Sequence, residues 1–323
     1  MSDDLFRVRL LDLPPGMLGV PAPATIRVVG TFSTPPHPTG GAPVSTAHGR
    51  GDEAAVAAVE FRHVSLAFDN LVVLRDLSFT LPAGSMTILL GASGSGKSVI
   101  LKLALGLLKP DEGSILVNGE AIERMSEHEL LRVRENIGIV FQENALFDSL
   151  TVEDNVGYRL VEQHLPEDQV HARVEAVLGF VGLSEFIDRL PSELSGGQRR
   201  RVAIARAMAP EPSLVLLDDP ITGLDPIIAL LVDDEIIKLR DLQHVTALFV
   251  THQIRDAFYV ATHAAVRGDG RVRIVSADPA SAPQVRFMVL HQGRIHFEGS
   301  AAELQASTDS YLRDYLLNTL PPW

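Results

Sequence analysis

The sequence predicts an α/β fold: a central, mainly parallel sheet, a leading set of antiparallel strands and an inserted helical block. Three observations predict it. Apolar runs of strand length alternate with stretches of helix length from about residue 86 to residue 261. One strand–helix junction, Gly91-Ala92-Ser93-Gly94-Ser95-Gly96-Lys97-Ser98, carries the pattern G-x-x-x-x-G-K-[ST]. The composition, 46% hydrophobic over 323 residues, suits a substantial globular core.

Taken in order, residues 1–55 read as a disordered Pro/Gly-rich tail. Eight of the 20 prolines fall there, without lasting periodicity, so little apolar surface is available to offset ordering entropy. Within it, Leu5–Leu13 and Ala24–Val29 alternate enough to add strands to an offered edge. Strands follow at Val56–Phe61, Leu71–Leu74, Ser78–Leu81 and Met86–Leu90, with turns at Asp69-Asn70 and Pro82-Ala83-Gly84. Then come helix 97–108, strand 114–117, helix 127–135 and strand 137–141. A helix-rich block runs from Glu153 to about Ala209, followed by strand 214–218, helix 226–241, strand 246–250 and helix 254–261. A last hairpin pairs Phe287–Leu290 with Arg294–Glu298 across Gln292-Gly293. The segment before it, Val266–Arg286, reads as an insertion: a β-hairpin turn at Arg267–Arg271, then loop over Ala277–Pro283. Its arginines 267, 271, 273 and 286 are free for lipid headgroups or a partner, or are simply solvated. Tyr311, Leu312, Tyr315 and Leu316 form an apolar stripe at helical spacing, to dock on the chain's own core or on a twin. The expected division is therefore a tail (1–55), one α/β module (56–308, helical part about 143–209, insertion about 266–286) and a C-terminal helix and tail (309–323).

The absence of cysteine excludes disulfides, zinc–thiolate sites and thiol catalysis. A net charge of −13 argues against wholesale binding of nucleic acid. No apolar run approaches the ~18–20 residues that span a bilayer. Asp3 and Asp4 stand where a signal peptide would be cationic. These features predict a cytoplasmic protein whose membrane contact is peripheral or made through a partner.

The glycines of residues 91–98 let successive backbone N–H groups turn toward phosphate oxygens, and the following helix adds its positive end. Lys97 is expected to reach the β- and γ-phosphates and the Ser98 hydroxyl to ligate Mg²⁺. A second magnesium anchor is expected at the end of a buried strand, and Leu214-Val215-Leu216-Leu217-Asp218 supplies one.

Further residues make the chain resemble the ABC ATPases, a branch of the P-loop NTPases. Leu194-Ser195-Gly196-Gly197-Gln198 is similar to their signature sequence. Gln142 stands where they have the Q-loop glutamine, and Gly223-Leu224-Asp225 where they have the D-loop. His252 matches the switch histidine, and Phe68 the aromatic that stacks on adenine. The resemblance covers some four-fifths of the chain, from residue 59 to about residue 317. It implies an ATP-hydrolysing module that works as a homodimer, with ATP and Mg²⁺ bound. The implied ATP contacts are Phe68, Gly91 to Ser98 and Asp225, with Ser195, Gly196, Gly197 and Gln198 closing the nucleotide of the opposite subunit. Ser98, Gln142 and Asp218 are implied at the metal, and Asp219, His252 and Gln142 in hydrolysis. His63, His244 and His263 have no such context.

One position departs from the family, which places Glu after the magnesium aspartate; this chain has Asp219. Its oxygens sit back by roughly 1.5 Å, and a shift of about 1 Å can cost ~10²-fold in rate. Slow hydrolysis and a binding-only, ATP-gated clamp both remain open. The stretch Glu143–Leu160 resembles the ATPases of Mla/Mce-type lipid transport systems, also called toluene tolerance proteins. That resemblance implies an integral membrane permease as partner and a lipid-binding substrate protein. Phe147, Leu150 and Tyr158 either line a permease-coupling groove or pack the helical block. The ATPase of an amino-acid or other small-solute importer is the competing reading. A non-transport ABC ATPase is a more distant one, since such chains carry two cassettes or a long coiled coil.

Overall fold

A computed structural model describes residues 57–268, 271–277 and 285–319. The expected tail 1–55, its two candidate strands, the turn centre at Asp269-Gly270 and the loop at 278–283 lie outside the described residues. In chain order the elements are β1 (Ala57–Phe68), β2 (Leu71–Pro82), β3 (Met86–Leu90), α1 (Lys97–Ala104), β4 (Glu112–Val117), β5 (Glu120–Ala121) and α2 (Glu127–Glu135). Next come β6 (Ile137–Val140), α3 (Val152–Glu162), α4 (Glu167–Phe180), α5 (Gly196–Met208), β7 (Leu214–Asp218), α6 (Pro226–Gln243) and β8 (Thr246–Thr251). The chain continues through α7 (Ile254–Thr262), β9 (His263–Gly268), β10 (Arg271–Ser276), β11 (Val285–His291), β12 (Arg294–Gly299), α8 (Ala301–Gln305) and α9 (Ser310–Thr319).

The central sheet has strand order β12-β11-β3-β8-β7-β6, parallel except for β12. Its inner strands are mostly apolar because both faces are covered, as in β3, where all five residues are buried. Met86, Ile88 and Leu90 face the cluster built with α3 to α7, while Leu89 faces α1 and the antiparallel sheet β2-β1-β4-β5. Register fixes the site before any side chain is placed. Leu90 pairs with Thr251 and Asp218 with Val250, so Gly91, His252 and Asp219 leave the sheet along one edge. That carboxyl edge, where the chain connections reverse direction, is where open α/β sheets bind ligands.

Local chemistry sets the helix starts. Ser126 and Glu129 form a capping box ahead of α2, Thr151 caps α3, and Asp225 caps α6 with Pro226 in its first turn.

Several expectations need correction. The helix expected over 97–108 ends at Ala104, because Gly106 takes φ +63° and the amides of Gly106 and Leu107 turn back to Leu103 and Lys102. β1 runs on to Phe68 and β2 is continuous from Leu71 to Pro82. Left-handed residues at His63 and Asp76 mark irregularities that break the alternation without ending the strands. The hairpin in the insertion starts at His263, before the expected boundary. Val285 and Arg286, assigned to the insertion, belong to β11 and pair with Met86 and Thr87. Arg286 is bound to Glu298 rather than free.

The β9–β10 hairpin is seated on the body. Ala265 is buried, Val272 and Ile274 pack against the core, and the Ala265 amide donates to Asp241 of α6 at 2.8 Å. Arg267, Arg271 and Arg273 stay exposed. α9 rests on its own chain, with Leu312 buried and the Tyr311 ring 3.6 Å from that of His291, centroid to centroid.

Candidate active site

The phosphate loop joins β3 to α1. Gly96, the N-cap of α1, takes φ +105°, and a side chain there would meet Val73 of β2 at 2.9 Å, so backbone must occupy that space. Lys97 is buried; its Nζ donates to the carbonyl oxygens of Gly91 at 2.8 Å and Ala92 at 3.0 Å, bracing the loop from inside. Burial lowers its pKa, and the carboxylates of Asp219 and Asp218 oppose that shift.

Ser98 Oγ donates to Asp218 Oδ1 at 3.0 Å. Burial raises the Asp218 pKa, the Ser98 bond lowers it, and the neighbouring Asp219 raises it again. A divalent cation beside this pair would favour the ionised form. Hydroxyl and carboxylate oxygens suit Mg²⁺, which takes one or two protein oxygens and completes its shell with phosphate and water. Among the described residues no group of three or more His, Cys, Asp or Glu could hold a metal alone. The pair at Ser98 and Asp218 therefore fits a cation that arrives with a phosphate ligand.

Asp219 follows immediately, with φ +43° and its amide donating to Val250 O at 2.9 Å. The left-handed backbone turns its carboxylate to the loop after β8. There Oδ1 accepts from the His252 amide at 3.1 Å and lies 3.0 Å from His252 Nδ1. A proton on Nδ1 would satisfy this contact and leave Nε2 as the outward-facing nitrogen.

The structure thus joins Lys97, Ser98, Asp218, Asp219 and His252 by direct bonds or short-range electrostatics. It places the remaining predicted residues apart. Ser195 caps α5, with Oγ accepting from the Gln198 amide at 3.3 Å and Gln198 Oε1 accepting from the Ser195 amide at 2.8 Å. Gly197 packs under Ile228, where a side chain would collide at 2.1 Å. Asp225 caps its own helix through Ile227 and Ile228. Phe68 ends β1 and is 45% exposed, available for a ring to stack on. Gln142 is exposed beyond β6. No hydrogen bond or ion pair among the described residues ties the Ser195 segment to the phosphate loop of the same chain. Phe147 and Tyr158 are both exposed, with ring centroids 4.8 Å apart.

Sequence reasoning missed Arg200. It lies on α5 and is buried; its guanidinium donates to Phe141 O and Gln142 O, and burial lowers its pKa to about 10. Arg206 repeats the device on Asn144 O and Ala145 O. Helix α5 therefore clamps the loop after β6 at four carbonyls. The signal was the spacing of two arginines six positions apart on an Ala-rich helix, but their targets are set by the tertiary fold. A separate crevice of about 420 Å³, lined by Glu60, Arg62, His63, Arg286 and Glu298, lies elsewhere, and its charges pair with one another.

Sheet order, phosphate loop and the Ser98–Asp218 pair define a P-loop nucleotide-binding fold. The ABC transporter family profile matches residues 74–222. The intermembrane phospholipid transport system ATP-binding protein MlaF of Escherichia coli K12 is 36% identical over 266 residues, covering 82% of this chain and 90% of that protein. The sulfate/thiosulfate import ATP-binding protein CysA of Mycobacterium tuberculosis H37Rv is 40% identical over 230 residues, or 71% of this chain. The chain spans only 64% of that relative's length. Among solved structures, the dimeric, post-hydrolysis ATP-binding cassette MJ0796 with ADP and Pi superposes with a TM-score of 0.62 at 27% identity, covering 75% of this chain and 98% of that one. CbiO1 of Clostridium perfringens, part of the transporter complex CbiONQ, gives 0.66 at 26%, covering 82% and 99%. The chain belongs to the ABC transporter ATP-binding proteins. None of its described helices is long and apolar enough to cross a membrane.

Proposed function

We propose that this protein is the ATP-binding and ATP-hydrolysing subunit of a lipid-transporting ABC system, acting as a homodimer beneath an integral membrane permease. The observation that carries the ATPase part is the single edge on which Lys97, Ser98, Asp218, Asp219 and His252 meet. Lys97 exchanges its loop carbonyls for the β- and γ-phosphates, and the loop amides and the α1 N-terminus hold the remaining phosphate charge. Ser98 and Asp218 would hold Mg²⁺, which would supply positive charge against the charge that develops on the transferred phosphate. Asp219 orients His252 and, with it, the attacking water. Ser195 and the α5 N-terminus, unattached to their own phosphate loop, close the nucleotide of a second copy. Gln142 and Asp225 approach the metal and the partner's nucleotide on that closure, and Phe68 stacks on adenine.

The lipid reading rests on extent. The phospholipid-system relative is matched over nine-tenths of its length, whereas the sulfate relative has a further third that this chain does not match. The higher local identity of the sulfate relative favours the second reading, a small-solute importer. Purification from membranes with bound subunits intact decides between them. A permease co-purifying with phospholipid and a lipid-binding protein supports the lipid system, and a permease paired with an anion-binding protein contradicts it. Phe147 and Tyr158 are the exposed aromatics offered to that permease.

Asp219 supports slow hydrolysis in this reading, because its left-handed backbone brings the shorter side chain to His252. Measurable turnover in the wild-type protein, lost in Asp219→Asn, is expected. Wild type that binds MgATP without turnover would instead make the site an ATP-gated clamp, and equal turnover in Asp219→Asn would remove Asp219 from the chemistry.

A further inference from the structure

Gln253 begins α7 but does not cap it. The N-cap position favours Ser, Thr, Asp or Asn, whose short side chains reach the first free amides of the helix. Gln253 fills that position with φ −93° and ψ 101°, and its side chain makes no such bond. It crosses instead to the loop between β7 and α6, where Nε2 donates to the Thr222 hydroxyl at 3.4 Å. Its backbone is held as well, because its amide donates at 3.0 Å to the hydroxyl of Thr251, a fully buried residue at the end of β8. Thr222 is fixed in the same way: its amide donates to Asp219 O at 3.2 Å, in the loop that ends at Asp225. Ile221 and Ile254, the residues next to the two partners, are buried in one apolar cluster, so both loops are seated on the core.

The two loops are thus laced in order. Asp219 bonds Val250 and His252, and further along both loops Thr222 bonds Gln253. The first set of bonds uses the groups assigned to hydrolysis; the second uses neither, and so can persist while Asp219 and His252 engage water and phosphate. A residue that gives up a helix cap for such a bond stabilises its own helix less and ties two loops together instead. We infer that Gln253 is a positioning residue: through Thr222 it holds the loop carrying His252 in register with the loop that runs from Asp219 to Asp225. In the reading above, on which this rests, His252 serves the nucleotide of its own chain and Asp225 that of the second copy, so the bond joins elements of both sites.

The test compares the full chain with Gln253→Ser, Thr222→Val and the double variant, with MgATP as substrate and MgADP as ligand. Gln253→Ser supplies a true N-cap while cutting the bond, so its nucleotide-free melting temperature should hold or rise by about 2 °C. Its kcat should nevertheless fall about fivefold, the size of one hydrogen bond. MgADP affinity should stay within about twofold of wild type, because neither side chain is assigned to the nucleotide. Thr222→Val should lose the same factor in kcat, and the double variant no more than either single one. Amide exchange over residues 221–225 should quicken in Gln253→Ser, although the substitution lies on the other loop. A merely structural role would lower kcat and melting temperature together. Wild-type kcat in Gln253→Ser would overturn the inference. So would losses that multiply in the double variant, a loss explained by a fall in melting temperature, or unchanged exchange over 221–225. Wild type that binds MgATP without turnover would strike at the hydrolysis reading, a distinct result, and exchange over 221–225 would still decide the link.

Discussion

At residue 219 the carboxylate is bonded to its neighbour. Asp219 Oδ1 holds His252 through its amide and its Nδ1, so Asp219 and His252 act as a unit. Lengthening the side chain in Asp219→Glu should bring a carboxylate oxygen nearer the water and raise kcat by about 10- to 100-fold. Steady-state phosphate release measures this, and an unchanged or lower kcat would show that the left-handed backbone has already compensated. Arg200 poses a different residue-scale problem. Arg200→Met keeps the apolar stem but leaves Phe141 O and Gln142 O without their donor, which should cost about 2–4 kcal/mol of stability, read by denaturant unfolding. Turnover should fall too, because Gln142 follows directly from that loop. The phosphate loop, Asp218 and the helix caps were legible in the sequence because each is a contiguous pattern whose chemistry is local. Arg200 was not: its partners are 58 and 59 positions away, and only the packing of α5 on β6 brings them together.

At the scale of elements, α6 and α7 meet across a buried acidic contact. Asp233 of α6 is fully buried, and burial raises its pKa well above the usual carboxylate range; Asp256 of α7 and the adjacent Asp234 push the same way, and Arg255 opposes them. A carboxyl whose folded pKa is raised adds stability while it is protonated and loses it as pH climbs through that pKa. Asp233→Asn, a mimic of the protonated form, should therefore melt above wild type at pH 8 and approach it in acid. The gain should be about 2–4 °C for each kcal/mol recovered. A melting temperature lowered at every pH would show that Asp233 is ionised and bonded in the fold. The hairpin β9–β10 belongs to this scale as well. Its alternation was legible as strand, but its docking was not, because the amide-to-Asp241 bond and the burial of Ala265 depend on where α6 lies. The irregularities at His63 and Asp76 hid the length of β1 and β2 for a related reason: a bulge shifts the alternation that marks a strand.

At the scale of the molecule, the α/β order was legible from strand–helix alternation, and the parallel register then aligned three loops whose residues are far apart in sequence. What one chain leaves open is the site's outer half. Ser195 and the α5 N-terminus, with no bond to their own phosphate loop, are the surface that a second copy would use. The most direct test is the solution mass of Asp219→Asn with MgATP, alone and with Ser195→Arg added, by light scattering. The account predicts twice the 35.0 kDa chain mass for the single variant and a monomer for the double variant, with MgATP still bound by both. A single variant that stays monomeric in saturating MgATP, or a double variant that still dimerises, would contradict it.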